Sequence, residues 1–507
     1  MTSRLVRATL AALAVLLPAC GLLSRQPSGT AGELPLTPFA VRTAPASRTP
    51  IPFRPNYKPG QLVDYTAQSG DTLPALAAHF NTTIAEILAA NPVVPSGATT
   101  MPPGLPMQIP IYFRSLWGNP FHILPDSAFV NGRMQIGFNT VAYVASQPGW
   151  LKDYSTYAAG RDRTGPEIVD LVAQRWSISP RLLLAILQYR AGALSEPKSP
   201  LKKYILDRDF GHDTDPEFRS YADAPNLNYL QLAWAATTLN NGYYGWRSGL
   251  LTEFYEPDGT IIRPDPWQNA ASVALQYLFS RTAVGPAYDE AISAAGFLAT
   301  YRALFGEPAG DDAALIPGSL QQPPLRLPFS GRQVWTYTGG PHTGGYGRGQ
   351  PYAAVDFAPP CDNPGCASLS PLAYVIAMAD GIVARSGPDG VVLDLDGDGD
   401  ERTGWDIFYL HLAAGTRVVL GQELRAGDPM GYPSSEGGEA TGTHIHIARK
   451  YNGEWILADG PLAFELDGWI VHAGKTAYLG TLARNGRTVT ACACSDLYSE
   501  VPLLGRP

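Results

Sequence analysis

Two histidines separated by one residue, His444-Ile445-His446, constrain the fold of this chain more than any other feature of its sequence. Side chains two positions apart on a β-strand point to the same face, so an extended segment brings both imidazoles into one site. The chain has eight histidines, and half of them fall between residues 342 and 446, where strand and turn residues are frequent. This region therefore predicts a strand-rich domain with a cluster of imidazoles.

Two further histidines and one acid lie upstream in the same region. His411 belongs to the strand-like run 409–412, His342 lies in the glycine-rich segment 339–345, and Asp356 stands between apolar residues. Zinc sites that hydrolyse amides need three protein ligands, drawn from histidine and carboxylate, and one position open for water. The histidines and Asp356 of this region therefore predict a hydrolytic zinc site.

In their order along the chain, these segments resemble the lysostaphin-type zinc metallopeptidases, and in particular their LasA- and β-lytic-like subgroup. The resemblance covers residues 318–480 and implies an all-β peptidase domain with an antiparallel sheet. Its landmarks are Gly339-Gly340-Pro341-His342, Val355-Asp356-Phe357, Ala379-Asp380-Gly381, Tyr409-Leu410-His411-Leu412, Gly427-Asp428-Pro429-Met430-Gly431 and Gly442-Thr443-His444-Ile445-His446.

The resemblance implies a role for each residue of the site. The metal ligands of the family map to His342, Asp356 and His446. The histidines that polarise the substrate and stabilise the transition state map to His411 and His444. In the commonest subgroup the first histidine stands four residues before the aspartate, where this chain has Tyr352; the long-loop subgroup places it further upstream, as His342 is placed.

Two functions, one enzymatic and one non-enzymatic, are compatible with these residues. The first is a zinc-dependent endopeptidase that hydrolyses peptide cross-links of bacterial peptidoglycan. The second is a catalytically inactive envelope scaffold or activator of other cell-wall hydrolases. Inactive relatives usually lack one or more of the five residues, and this chain keeps all five, which favours the enzyme.

Residues 59–114 predict a small βααβ module. A strand at 63–66 precedes a helix capped by Asp71 or Thr72, Thr83 and Glu86 form a capping box for a second helix, and a strand at 107–112 returns. This plan resembles the LysM domain, which implies binding to N-acetylglucosamine-containing glycans such as peptidoglycan.

The pattern from 120 to 310 is mainly helical. The segment 178–187 faintly resembles the first helices of lytic transglycosylases, which use a glutamic acid at the end of that helix as proton donor. This chain has Gln188 there, and Glu196 lies further on. We therefore expect a non-catalytic helical domain that acts as a spacer or as a second wall-binding surface.

A run of alternating acids resembles a calcium loop of the EF-hand kind. Its candidate ligands are Asp394, Asp396, Asp398 and Asp400, but the closing glutamate is missing, because the twelfth position is Trp405. A solvated hairpin tip is the alternative.

The N-terminus and the cysteines indicate export. Residues 1–20 combine two arginines, an apolar run and Leu17-Pro18-Ala19-Cys20, which resembles a lipobox and predicts lipidation of Cys20; an ordinary signal peptide is the alternative. Residues 21–58 form a Pro/Ser/Thr-rich linker, and 481–507 a cysteine-containing tail. Two disulfides are expected among Cys361, Cys366, Cys492 and Cys494, and a zinc knot is the alternative.

The length and net charge of the chain agree with an exported protein that has several domains. A chain of 507 residues is too long for one hydrophobic core. Its net charge of −8 argues against a nucleic-acid partner, because no basic excess is present to neutralise phosphates. The expected partners are peptidoglycan and, through the lipid anchor, the membrane of the cell envelope.

Overall fold

The computed structural model of the chain describes residues 55–199, 206, 229–308, 315–330, 334–360, 373–494 and 496–501. Cys20, Cys361 and Cys366 lie outside these residues, so the predictions made for them remain predictions. Among the described residues, no helix has the length and apolar character needed to cross a bilayer.

The N-terminal module has the predicted βααβ plan. It consists of β1 (Gln61–Thr66), α1 (Leu73–His79), α2 (Ile84–Ala90) and β2 (Pro106–Ile111). The Thr72 hydroxyl caps α1 by accepting the amide N–H of Ala75, and Thr83 and Glu86 form the capping box of α2. The two strands pair antiparallel, and Leu76, Phe80 and Ile109 pack between strands and helices.

The middle region is mainly helical, as predicted. Its elements are α3 (Asp126–Phe129), α4 (Thr140–Ala145), β3 (Ser155–Ala158), β4 (Arg161–Thr164), α5 (Gly165–Trp176), α6 (Pro180–Ala191), α7 (Tyr229–Arg247), β5 (Phe254–Tyr255), β6 (Ile261–Ile262), α8 (Ala270–Thr282), α9 (Pro286–Ala291) and α10 (Phe297–Phe305). Short 3-10 turns at Arg133–Gln135 and Trp150–Asp153 connect them. Ser179 caps α6 by accepting the amide N–H of Leu182, and Pro180 occupies the first turn, where its missing N–H costs nothing.

The residue at the position of a transglycosylase acid has a structural role. The Gln188 amide nitrogen donates to the Ser195 hydroxyl at 2.9 Å, and its amide oxygen accepts the Leu194 N–H at 2.8 Å. Gln188 therefore shapes the loop after α6, and the side chain of Glu196 is exposed to solvent.

The C-terminal region is built of strands. They are β7 (Trp335–Thr343), β8 (Tyr352–Ala358), β9 (Val375–Ile376), β10 (Gly381–Gly387), β11 (Gly390–Asp394), β12 (Trp405–Leu410), β13 (Glu423–Leu424), β14 (Pro429–Gly431), β15 (Ile445–Tyr451), β16 (Glu454–Trp455), β17 (Glu465–Leu466), β18 (Trp469–Ala473), β19 (Gly480–Arg484), β20 (Arg487–Thr490) and β21 (Glu500–Val501). The large antiparallel sheet has the order β13-β10-β11-β12-β15-β8-β7-β21, with β16 paired to β15. A smaller sheet has the order β17-β18-β19-β20.

The segment predicted as a separate tail is part of this domain. Strands β19 and β20 belong to the smaller sheet, and β21 pairs with β7 at the edge of the large one. Cys492 and Cys494 are bonded to each other, so of the pairings open to Cys492 the structure has the one with Cys494. The tail was not recognised as sheet because these strands are short and partly exposed.

The large sheet is buried on both faces. Alternate residues of β12 point in opposite directions: Ile407 and Tyr409 pack toward the smaller sheet, and Phe408 and Leu410 pack toward the helices. His446, on β15, alternates with Ile445 and Ile447 and so lies on the helix-facing side. The sheet therefore presents its imidazoles toward the helical region.

One buried ionic group joins the three regions; we call Arg247, Asp126, Glu454 and Ser69 the Arg247 cluster. The Arg247 guanidinium lies 3.0 Å from Asp126, on α3, and 3.0 Å from Glu454, on β16. It also donates to the backbone carbonyl of Ser69 in the N-terminal module. Both carboxylates and the guanidinium are nearly inaccessible to solvent, so each depends on the others for compensation of its charge.

Candidate metal centre

Strand register brings two predicted ligands together. Asp356, on β8, is the antiparallel partner of His446, on β15. Directly opposed residues project to the same face with neighbouring Cβ atoms, so the carboxylate and the imidazole meet. The structure places His446 Nδ1 3.2 Å from Asp356 Oδ1.

The third predicted ligand comes from the end of β7. His342 lies with its Nε2 3.3 Å from Asp356 Oδ1 and 3.0 Å from His446 Nδ1. The two glycines before it are required by space: a Cβ at Gly339 would stand 2.5 Å from Asp356 Oδ2, and one at Gly340 would stand 2.6 Å from the backbone of Leu479. The loop thus needs small residues to bring His342 against the sheet.

Backbone carbonyls orient both imidazoles. His342 uses Nδ1 to donate to the carbonyl of Gly340 at 2.8 Å, and His446 uses Nε2 to donate to that of Gly344 at 3.0 Å. In a neutral ring the lone pair is then on the other nitrogen, Nε2 of His342 and Nδ1 of His446, and both atoms lie beside Asp356 Oδ1, a buried oxygen without a hydrogen-bond partner. Three lone-pair atoms converge on one point.

The spacing of these atoms suits a zinc ion. Tetrahedral ligands at zinc distances are separated by about 3.3 Å. The three separations here are 3.0, 3.2 and 3.3 Å. Two nitrogens and one carboxylate oxygen also form the donor set of catalytic zinc sites. The residues fit the metal that the sequence predicts.

The charges of the group agree with a cation site. Burial alone raises the pKa of Asp356, but His342 and His446 hold it well below its usual range, so the carboxylate is ionised. Burial lowers the pKa of His446 and also acts to lower that of His342, where the charge of Asp356 prevails and raises the pKa. A bound metal would replace the proton that His342 otherwise holds.

The two remaining histidines flank these ligands. His411 donates from Nδ1 to the carbonyl of Glu436 at 2.7 Å, and His444 does so to the carbonyl of Gly442 at 2.8 Å. The two rings lie 4.3 Å apart, and His444 Nε2 is 3.9 Å from Asp356 Oδ1. Burial and the neighbouring imidazoles lower the pKa of His411 to about 3, which keeps its Nε2 available as a proton acceptor.

The conformation of His411 is unusual. Its φ is 72°, in the left-handed region that a residue with a Cβ rarely occupies. The Ser434 amide and hydroxyl both donate to its carbonyl, at 2.6 and 2.9 Å, and hold the backbone there. Backbone strain maintained by surrounding hydrogen bonds is frequent at functional sites.

Tyr478 completes the group and was missed in the sequence. Its ring stacks on that of His342 with centroids 4.2 Å apart, and its backbone exchanges hydrogen bonds with Gly340 and Pro341. Partial burial, followed by the charge of Asp356, raises the pKa of Tyr478, so its phenol remains a proton donor. No motif surrounds this tyrosine, and it reaches the site only through the packing of the loop before β19.

Two loops meet beside the centre. The Tyr346 hydroxyl donates to the carbonyl of Gly437, and Arg348 pairs with Glu439 at 3.2 Å. The first loop contains Gly344, which orients His446, and the second follows Glu436, which orients His411. These contacts thus connect the supports of the two histidines.

The helical region braces the same loops. Arg175, near the end of α5, lies with its guanidinium 4.2 Å from the Tyr346 ring centroid and donates to Asp389, at the β10–β11 turn. The Asn241 side chain of α7 accepts the amide N–H of Gln350 at 2.7 Å.

The predicted calcium ligands lie apart from this centre, in the β11–β12 hairpin. Carboxylate oxygens of Asp394, Asp396 and Asp398 are within 4.8 Å of one another. Asp400 differs, because Arg402 binds both of its oxygens at 2.6 Å. The structure thus groups three of the four acids.

Family models match two parts of the chain. Residues 65–110 match the LysM domain, and residues 122–317 match the N-terminal domain of LasA. The helical region therefore corresponds to a domain already known from that protease.

Protease LasA from two strains of Pseudomonas aeruginosa is similar to this chain. The identity is 26% over 369 residues, which is 66% of this chain and 75% of the relative. Among solved structures, the M23 metalloprotease pseudoalterin from the deep sea is 22% identical, covering 33% of this chain and 94% of that one, with a TM-score of 0.27. The catalytic domain of lysostaphin from Staphylococcus simulans is 24% identical, with coverages of 24% and 87% and a TM-score of 0.18.

Proposed function

This chain is a LysM-containing metallopeptidase homologue of the LasA/lysostaphin type, and from that premise we propose that it is a zinc-dependent endopeptidase that hydrolyses peptide cross-links of bacterial peptidoglycan. The observation that carries the proposal is the convergence of His342 Nε2, Asp356 Oδ1 and His446 Nδ1 at separations of 3.0 to 3.3 Å. An inactive scaffold would have no need of this arrangement.

The three ligands would hold zinc, which lowers the pKa of water and polarises a scissile carbonyl when it is bound. His411 and His444 then have the proton-transfer roles. With Nδ1–H engaged by a carbonyl, each neutral ring has Nε2 as its proton acceptor, and His444 Nε2 lies 3.9 Å from Asp356 Oδ1. In our proposal one of these two imidazoles accepts a proton from the attacking water. A protonated imidazole of the pair then donates a proton to the departing amine.

Tyr478 would assist at the carbonyl oxygen. A neutral phenol stacked on His342 lies at the rim of the centre, where negative charge develops on a peptide carbonyl under attack. A hydrogen bond that strengthens as this charge develops stabilises the transition state more than the substrate. We assign this donor role to Tyr478.

The LysM domain would supply attachment to the substrate. A polymer bound through its glycan strands presents the connected peptides to the catalytic centre at a raised local concentration. An exported location agrees with this substrate, and we propose that Cys20 carries the lipid anchor. Replacement of Cys20 by Ser would then move the protein from the membrane fraction to the soluble fraction.

The deciding experiment is mass spectrometry of fragments released from purified wall of known cross-link type. We expect the wild-type protein to release peptides with newly formed termini at the cross-link. Protein with His446→Ala should release none, and protein with His472→Ala, a change at an exposed histidine, should match the wild type. Equal release by the His446→Ala and wild-type proteins would refute the proposal, and absence of release from every wall type would favour the scaffold.

A further inference from the structure

The β11–β12 hairpin folds around the first acid of its tip. Asp394 ends β11 with its side chain buried, and its two oxygens accept the amide N–H groups of Asp396 at 3.0 Å and Gly399 at 2.8 Å. Asp396 and Asp398 turn carboxylate oxygens back to the same side, within 4.8 Å of one another and of Asp394. This acidic cluster alone does not establish a site, because exposed acids often lie together without a ligand.

A fourth acid adds an independent observation. Asp406, on β12, is completely buried, and neither of its carboxylate oxygens has a hydrogen-bond partner. It is the antiparallel partner of Asp394, so both side chains project to the same face of the sheet. A buried carboxyl with two unused oxygens is costly unless a cation compensates it.

The basic groups near Asp406 are engaged elsewhere. Lys450 faces Asp406 from β15 but donates to Glu401 at 2.6 Å. Arg385 also binds Glu401, with two hydrogen bonds of 2.8 and 3.0 Å. Arg402, at the hairpin tip, is bound by Asp400. None of these cations makes a hydrogen bond to Asp406 in the described part of the chain.

We propose that this hairpin binds Ca²⁺ through the side chains of Asp394, Asp396, Asp398 and Asp406. Calcium takes six to eight oxygen ligands in flexible geometry, and backbone carbonyls and water would supply the remainder. Asp406 takes the place of the closing glutamate that a calcium loop of the EF-hand kind has at its twelfth position. The side chain of Asp400 is not a ligand, because Arg402 occupies it.

The ion would stabilise the strand that leads to the proposed catalytic centre. Asp406 is near the start of β12, and His411 directly follows the end of that strand. β12 lies between β11 and β15, the strand of His446. Calcium would therefore stabilise the hairpin that sets the position of β12. The ion itself would not contact the zinc ligands. The site would be filled at the millimolar calcium concentrations outside cells if its affinity is that of extracellular modules, with a Kd of roughly 10⁻⁴–10⁻³ M.

Thermal unfolding of the full-length, zinc-loaded protein tests the proposal. From calcium-free buffer to 10 mM CaCl₂, we expect the unfolding midpoint to rise by roughly 3–8 °C. Asp406→Asn should abolish this rise. Asp400→Asn removes the same charge from the same hairpin and should retain it, which distinguishes a specific site from screening of acidic repulsion. Magnesium at the same concentration should give a smaller rise, since it requires a more rigid octahedral site.

Equilibrium dialysis with ⁴⁵Ca²⁺ removes any ambiguity caused by altered folding. In protein with His446→Ala we expect one bound calcium ion per chain, so the result is independent of the zinc centre. Addition of Asp406→Asn should reduce calcium affinity by at least tenfold. The proposal is overturned if the wild-type protein binds no calcium, or if Asp400→Asn and Asp406→Asn weaken binding equally.

Discussion

His342 Nε2 lies 3.0 Å from His446 Nδ1, although both rings use their other nitrogen to donate to a backbone carbonyl. Two neutral imidazoles in this arrangement turn lone pairs toward each other. The contact is favourable only when a proton or a metal ion lies between the rings. The arrangement of these ring nitrogens therefore favours a bound cation.

Removal of zinc should destabilise the protein. Zinc binds the ligand set of the folded protein and not the unfolded chain, so the free energy of unfolding should be lower by about 4 kcal/mol without zinc than at a zinc concentration a thousand times the Kd. Chemical denaturation with and without added zinc measures this difference. Protein with His446→Ala should show no response to zinc; a full response from that variant would contradict the ligand assignment.

Replacement of His411 should separate metal binding from turnover. His411 is not among the three convergent ligands, and so His411→Ala should retain one zinc per chain by elemental analysis. Loss of the proton acceptor should reduce kcat by about 10²–10⁴-fold. The exposed histidine variant His472→Ala provides the control with unchanged kcat. Loss of zinc from His411→Ala would show instead that His411 belongs to the coordination sphere.

Tyr478→Phe should reduce turnover while preserving the stack on His342. The phenyl ring keeps the contact, and only the hydrogen-bond donor is lost. By analogy with removal of other donors to a developing oxyanion, we expect kcat to fall by about 10²-fold with KM and zinc content unchanged. Tyr498→Phe, at an exposed tyrosine, is the matched change. An unchanged kcat for Tyr478→Phe would leave the residue only a packing role.

Arg247→Met should cause a large loss of stability. The change leaves Asp126 and Glu454 buried without their cation, and loss of one partner of a buried ion pair costs about 3–5 kcal/mol. The exposed pair of Arg161 and Glu167 is a suitable comparison, since Arg161→Met should cost less than about 1 kcal/mol. Unfolding by guanidinium chloride gives both values, and similar losses would argue against the importance of the Arg247 cluster.

Stability should fall in mild acid because of His79. Its ring is buried, stacks on Trp246 at 3.6 Å and donates to the Trp246 carbonyl at 3.0 Å. Burial lowers the pKa of His79 to about 3, below the unfolded value of 6.5, so the unfolded chain binds the proton more readily between these values. Stability is complete above pH 6.5 and declines as the pH falls, by about 2 kcal/mol at pH 5.

The matched variant isolates that contribution. His79→Gln should lose less stability than the wild type between pH 7 and pH 5, and His122→Gln, at a partly exposed histidine, should behave as the wild type. Denaturation at the two pH values measures the difference. Identical pH dependence in His79→Gln and wild type would show that other groups are responsible.

Local patterns predicted much of this molecule. Thr83 and Glu86 predicted the start of α2, and the alternation at His444 and His446 placed both side chains on one face of a strand. Each of these signals acts over a few residues, where capping chemistry and strand periodicity are decisive. The LysM and strand-rich regions, recognised from such patterns, are confirmed.

Long-range packing accounts for what the sequence did not disclose. Tyr478 stacks on His342 from a loop without a motif, and Arg247 meets its two carboxylates from a helix that has no other charged residue. Asp406 was overlooked because a loop template counts positions along the chain, whereas its relation to Asp394 is set by strand pairing. Contacts between segments that are far apart in sequence produce no periodic pattern along the chain.

The Arg247 cluster has a consequence for the reach of the enzyme. A glycan-binding module on a free tether would let the catalytic domain sweep many positions around its point of attachment. Here the Ser69 carbonyl of the LysM domain and the Glu454 carboxylate of the strand domain share one guanidinium, so we expect the two domains to move together. In the proposed enzyme, the distance between a glycan bound to the LysM domain and the peptide bond that is cleaved would then be fixed by the fold rather than by a linker.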